Sequence, residues 1–135
     1  MNKVLLDTHA LLWLTLGEDR LGAEARRLAE TAAQENGLLT SAISFWEVAL
    51  LERRGHLLKN ETVSAWRKNV LDQGIQEIPV SGDIGIFAVE MNNFHRDPAD
   101  RIITATAISR EAVLVTADAR ILAWQGKVQR HDARS

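Results

Sequence analysis

Four carboxylates, Asp7, Glu47, Asp100 and Asp118, sit where a chain of this pattern can use them for chemistry. Asp7 follows the apolar run Val4-Leu5-Leu6 and precedes Thr8-His9-Ala10, the position of a strand-to-helix junction. Asp118 stands in the same setting, after Val113 to Thr116 and before Arg120-Ile121-Leu122. Glu47 is the one charged residue between Ser41 and Leu51. Burying a lone carboxylate among Phe45, Trp46, Val48 and Leu50 is costly unless something compensates it. Each acid also has a local account. Asp7 and Asp118 suit helix caps, Asp97-Pro98-Ala99-Asp100 can cap its own helix, and Ser44-Phe45-Trp46-Glu47 matches a capping box. Taken together, four acids at helix amino ends would gather on one edge of a sheet. There they repel one another until a cation neutralises them. With oxygen donors and no cysteine in the chain, the natural ions are Mg²⁺ or Mn²⁺, and the chemistry they serve is attack of water on phosphate esters.

The elements that must position these acids alternate. Strands are expected at Val4 to Leu6, Leu38 to Thr40, Ile75 to Val80 and Val113 to Thr116, with an edge strand near Val128. Pro79 marks the third of these as ending or lying at an edge. Helices are expected from Thr8, over Leu21 to Glu35, Ser41 to Leu51, Thr62 to Gln73, Ser81 to Phe94, Asp97 to Arg110 and Asp118 to Gln125. Strand–helix alternation implies an α/β fold with a mainly parallel sheet of four to five strands, covered on both faces. Right-handed crossovers bring the carboxyl ends of the strands to one edge. The strained step is the pair of helices between the third and fourth strands, which leaves Asn92 to Arg96 to carry the chain back across the sheet.

Length and composition narrow the classes. The 135 residues fit one domain over residues 1–135, with 46 % apolar and 25 % charged residues. The chain has no apolar run near the roughly 20 residues of a membrane span and no secretory leader pattern, so a cytoplasmic protein is expected. A formal charge of −2 advertises no global field for nucleic acid, so any phosphate must be met locally. Arg101, beside Asp100, is the arginine best placed in sequence for a phosphate, ahead of Arg110 and Arg120. The histidines, His9 and His95 included, form no zinc-type pair and read as packing or surface residues. Trp13, Trp46, Trp66 and Trp124 read as core or interface. The apolar surplus around Leu11 to Leu14 and Phe45 to Leu51 reads as core on composition alone.

The stretches Leu5 to Trp13, Ser41 to Ala49, His95 to Ile103 and Leu114 to Asp118, in this order, resemble the PIN-domain ribonucleases, most closely the VapC-type toxins of bacterial toxin–antitoxin pairs. The resemblance implies a PIN-like three-layer α/β/α fold. It also implies a Mg²⁺ or Mn²⁺ site at Asp7, Glu47, Asp100 and Asp118, with Asp97 as an auxiliary acid or helix cap and Thr116 as an orienting hydroxyl. The implied activity is hydrolysis of single-stranded or looped RNA, and the implied partners are a cognate antitoxin and a second copy of the chain. Other readings fit less well. A phosphatase with an aspartyl-phosphate intermediate wants Asp-x-Asp after the first strand, and here the second position is His9. A receiver domain wants an acid ending the third strand, where Ile78-Pro79-Val80-Ser81 has none. A non-catalytic binding module of the same fold is the third alternative.

Overall fold

A computed structural model describes residues 2–135; Met1 lies outside the described residues. The element order is β1 (Val4–Leu6), α1 (Thr8–Thr15), α2 (Ala23–Gln34), β2 (Leu38–Ser41), α3 (Ala42–Gly55), α4 (Val63–Asp72), β3 (Gln76–Ile78), α5 (Gly82–Glu90), α6 (Pro98–Ser109), β4 (Val113–Thr116), α7 (Ala119–Ala123) and β5 (Arg130–Asp132). The expected last strand lies two residues beyond Val128. All strand pairs are parallel, in the order β3-β2-β1-β4-β5. The register sets Leu5 beside Leu39 on one side and Leu114 on the other.

Three apolar residues suffice for β1 because it is central and covered on both faces. Val4 and Leu6 join Leu38 and Val115 in a core under α1 to α4, with Leu11, Trp13, Val48, Trp66 and Val70. Leu5 joins Leu39, Ile78 and Leu114 in a second core with Ile84 of α5, Ile103 of α6 and Ile121 of α7. The period-2 alternation of a strand produces this division. The apolar surplus noted in α1 and α3 is largely core, since Leu11, Leu12, Trp13, Phe45 and Val48 are all buried.

Chain direction reverses about β1: β2 and β3 add on one side, β4 and β5 on the other. The crevice between β1 and β4 is therefore the topological switch point, where open α/β sheets place their sites. Helix starts confirm the capping signals. Asp7, Ser41, Thr62, Ser81, Asp97 and Asp118 are N-caps, each accepting from backbone N–H groups one turn on. The cap of α3 is Ser41, not Ser44, so Glu47 lies in the second turn and the capping-box account of it fails. At the start of α2 a close approach replaces a cap. Gly22 N–H donates to the Ala133 carbonyl, and a Cβ there would lie 2.1 Å from the Ser135 backbone. The carboxyl-terminal tail is thereby docked, with Arg134 Nη1 donating to the Ala117 carbonyl just past β4 at 3.0 Å.

The strained step resolves because α5 ends at Glu90. Its last carbonyls lie against the first turn of α6, so residues 91–97, with a turn at Asn92 and Asn93, need not carry the chain back along the helix. Arg101 secures this connection. Its Nε donates to the His95 carbonyl at 2.9 Å, its Nη1 to those of Ala88 at 2.9 Å and Met91 at 3.3 Å, and its Nη2 to that of Phe94 at 2.6 Å. The guanidinium also lies 5.6 Å from the Phe94 ring centroid. Arg101, the arginine expected to meet substrate phosphate, is thus engaged by backbone carbonyls and does not line the acidic cavity described below. The last carbonyls of α5 lack intrahelical partners and carry the negative end of the helix dipole, so they draw the cation inward.

Replacing Arg101 with Met should accordingly lower the unfolding free energy by about 2–4 kcal/mol, measured by urea denaturation. Arg110→Ala, at an exposed site, should stay within about 0.5 kcal/mol.

Candidate functional site

Asp7 ends β1 and is only 6 % exposed. Its Oδ1 accepts from Ala10 N–H at 2.9 Å, and its Oδ2 accepts from the Thr116 hydroxyl at 2.5 Å. Thr116, the last residue of β4, also accepts from Asp118 N–H at 3.1 Å. One hydroxyl thus spans the switch point and orients two of the acids. Burial pushes the Asp7 carboxyl up to about 6, against the lowering effect of these hydrogen bonds.

Glu47 reaches the same cavity from α3. The Thr8 hydroxyl contacts both the Glu47 carboxylate and the buried Ser44 hydroxyl, the latter at 2.9 Å. Burial raises the Glu47 carboxyl, and the Asp100 and Asp97 charges add to the effect. Asp100, in the first turn of α6, is raised by burial as well, with Asp97 and Asp118 contributing. Its Oδ2 lies 2.7 Å from His95 Nε2, so Asp100 does not turn back onto its own helix start. Asp97 does that instead, accepting from Ala99 and Asp100 N–H at 3.0 and 3.3 Å. Asp118 differs in sign. Partial burial would raise it, but the Arg120 guanidinium at 3.0 Å and the Arg120 and Ile121 amides hold it below its ordinary value.

Asp7, Glu47, Asp97, Asp100 and Asp118 all line one cavity of about 600 Å³. One ligating atom each from His95, Asp100 and Asp118 falls inside 4.8 Å of the others; Asp100 and Asp118 line the cavity, and Asp7 and Glu47 face the same space outside that cluster. The donors are carboxylate oxygens with one imidazole. Among the described residues, Asp7 and Glu47 have hydroxyl and amide donors but no cation among their hydrogen-bond partners. That donor set, with three acids pushed up by burial, fits a hard divalent cation.

Sequence reasoning undervalued His95 and Arg120. His95 stacks on Phe94, with centroids 4.5 Å apart, and pairs with Asp100; Arg120 reaches Asp118 at 3.0 Å and Asp100 at 3.6 Å. The signal was adjacency, since each lies within five residues of a paired acid. Two further cations close the rim. Arg20 and Arg134 lie 5.2 and 5.7 Å from the Trp13 ring centroid, and both line the cavity, as does His9. Arg134 could not have been found from sequence, because the docked tail brings it there.

Residues 4–126 match the family model described as PIN domain. The chain is 32 % identical over 122 residues to Ribonuclease VapC22 of Mycobacterium tuberculosis, covering 90 % of this chain and 91 % of that protein. Among solved structures it resembles a toxin–antitoxin complex from Klebsiella pneumoniae, with TM-score 0.65, 24 % identity, and 91 % and 92 % of the two chains covered. It also resembles the DNA-bound VapBC of Salmonella typhimurium, with TM-score 0.73, 17 % identity and 98 % of each chain covered. The fold of those neighbours, the full-length match and the acid-lined switch point agree, and the chain belongs to the PIN-domain family, in its VapC branch.

Proposed function

We propose that this chain is a single-domain endoribonuclease, the toxin of a toxin–antitoxin pair, which hydrolyses phosphodiester bonds in single-stranded or looped RNA. In this reading Asp7, Glu47, Asp100 and Asp118 hold Mg²⁺ or Mn²⁺. The observation that carries it is the buried Asp7 carboxylate opening into the cavity it shares with the other three acids. The relative from M. tuberculosis supports the activity by its name, and the neighbouring complexes support an antitoxin partner by theirs.

A divalent ion in such a cup supplies Lewis acidity toward phosphate oxygen and water. The chain's own residues do the rest. Thr116 and Ala10 fix both oxygens of Asp7, and each oxygen keeps a lone pair free for the cavity. Thr8 fixes Glu47 in the same way. His95 Nε2 lies 2.7 Å from Asp100 Oδ2, and this pairing keeps that carboxylate in one direction. Arg20, Arg120 and Arg134 at the rim meet the substrate's phosphates, taking the role that Arg101 is too engaged to fill. No side chain acts as a nucleophile. Trp46, at 54 % exposure, and Ile86 and Val89 on α5, at 60 % and 78 %, offer apolar surface for a second copy or the antitoxin. Among the described residues no helix is long and apolar enough to cross a membrane, in keeping with a cytoplasmic site of action.

Two experiments test the reading. Asp7→Asn should abolish metal-dependent cleavage of labelled RNA while the far-UV spectrum stays native, and chelator should do the same to the parent protein. Full activity in Asp7→Asn would refute the site. The second is pH-dependent stability without divalent ion. The folded Asp7 carboxyl holds its proton to about pH 6, whereas the unfolded one ionises near 3.8. Stability from this group is therefore complete below pH 4 and is lost as pH rises to 6, by about 3 kcal/mol. Glu47 and Asp100 act in the same direction, Asp118 in the opposite one. Thermal unfolding of the metal-free protein should thus give a higher Tm at pH 5 than at pH 7.5, and Asp7→Asn should flatten the difference. Mn²⁺ should raise Tm more at pH 7.5 than at pH 5; equal gains at both would contradict the assignment.

A further inference from the structure

A second cavity, of about 470 Å³, lies beside the acidic one and shares the wall residue Arg120 with it; His95, another of its walls, pairs with Asp100 of the acidic cavity at 2.7 Å. Its other walls are of a different chemistry: the amide side chains of Asn92, Asn93 and Gln125, and the indole of Trp124. The carboxylates Asp7, Glu47, Asp97, Asp100 and Asp118 all belong to the acidic cavity and none to this one. Its size lies within the roughly 300–1,000 Å³ of small-ligand sites.

The indole is held by contacts that give it one orientation. Phe94 meets it edge-on, with centroids 5.1 Å apart at 80°. Its Nε1–H donates to the Asn92 carbonyl at 3.0 Å. Gly126 packs so closely that a Cβ there would lie 2.1 Å from the ring, so only glycine fits. The three amides, by contrast, stand on exposed residues, and none of their side-chain groups takes part in a hydrogen bond within the described chain. A fixed aromatic surface with unpaired amide donors and acceptors suits a flat heterocycle with polar edges. Amides pair with base edges, and aromatics stack on any base. Arg120, on the wall of both cavities, joins the place for such a ring to the cavity that would take a phosphate.

We propose that this second cavity is a base subsite, which takes the nucleobase of the nucleotide adjoining the scissile phosphate. Trp124 provides the stacking surface, and Asn92, Asn93 and Gln125 read the polar edge. The proposal rests on the nuclease reading for its biological ligand, yet the binding itself is testable alone.

The probes are the four ribonucleoside 5′-monophosphates and ribose 5-phosphate, titrated into the metal-free chain and followed by NMR. The base-bearing probes should move the Trp124 indole N–H and the side-chain amides of Asn92, Asn93 and Gln125, with one base preferred. Ribose 5-phosphate should leave those signals in place. The variant Asn93→Gly/Gln125→Ala removes two amides without backbone strain, because Asn93 already has φ +60°, a conformation glycine adopts freely. It should weaken the preferred monophosphate at least about tenfold. In cleavage of a randomised RNA it should erase the preference at one position beside the cut. Shifts at the four side chains without any RNA cleavage would sustain the subsite and sink the nuclease reading. Cleavage with no base-dependent shifts, or with an unchanged preference in the variant, would overturn the subsite alone.

Discussion

The rest of the site is arranged around the cost of keeping a carboxylate at the end of a buried central strand. Asp7 has almost no contact with solvent, so its ionised form must be stabilised by the protein and by whatever enters the cavity. The protein supplies a hydroxyl from β4 and an amide from α1, which is enough to orient the group but not to return it to its ordinary value. The remaining deficit is a standing demand for positive charge. Glu47 and Asp100 share it, because burial, and after it the charges of neighbouring carboxylates, raise both. A fold that tolerates this needs a sheet core strong enough to offset it, and β1, buried on both faces between β2 and β4, provides that.

Helix capping and ligand binding are compatible roles for the same side chain. Asp7, Asp97 and Asp118 each cap a helix, and each lines the acidic cavity. A carboxylate has about four acceptor sites, so one or two amides do not exhaust it. The cap fixes the side chain's torsions and so gives the remaining lone pairs a direction. This economy explains how a chain of 135 residues with short strands sets several acids around one space.

The arginines divide by geometry. Arg101 turns inward to the carbonyls at the end of α5 and secures the two-helix connection across the sheet, while Arg20, Arg120 and Arg134 surround the acidic cavity. A chain with formal charge −2 therefore presents cations where an anionic polymer would approach its acids. Arg120 lines both the acidic cavity and its amide-lined neighbour, and His95, on the wall of the second, pairs with Asp100 on the wall of the first.

The alternation of apolar runs with capped amphipathic segments was enough to determine the α/β class, the parallel sheet and nearly every element, because strand burial and helix capping are local in sequence. Asp7, Asp100 and Asp118 stood out for the same reason, since each sits at an element boundary and strand direction sends those boundaries to one edge, whereas Glu47 stood out as the lone charge of an apolar helix. Tertiary structure alone decided what depends on long-range closure. Ser41 rather than Ser44 caps α3, which frees Glu47 for the cavity. Arg101 is drawn to carbonyls ten and more residues earlier in the chain, and the docked tail delivers Arg134 across the whole length of the sequence. The partner of an arginine is set by which unsatisfied carbonyl or carboxylate the folded chain brings within 3 to 4 Å, and spacing along a sequence does not encode that distance.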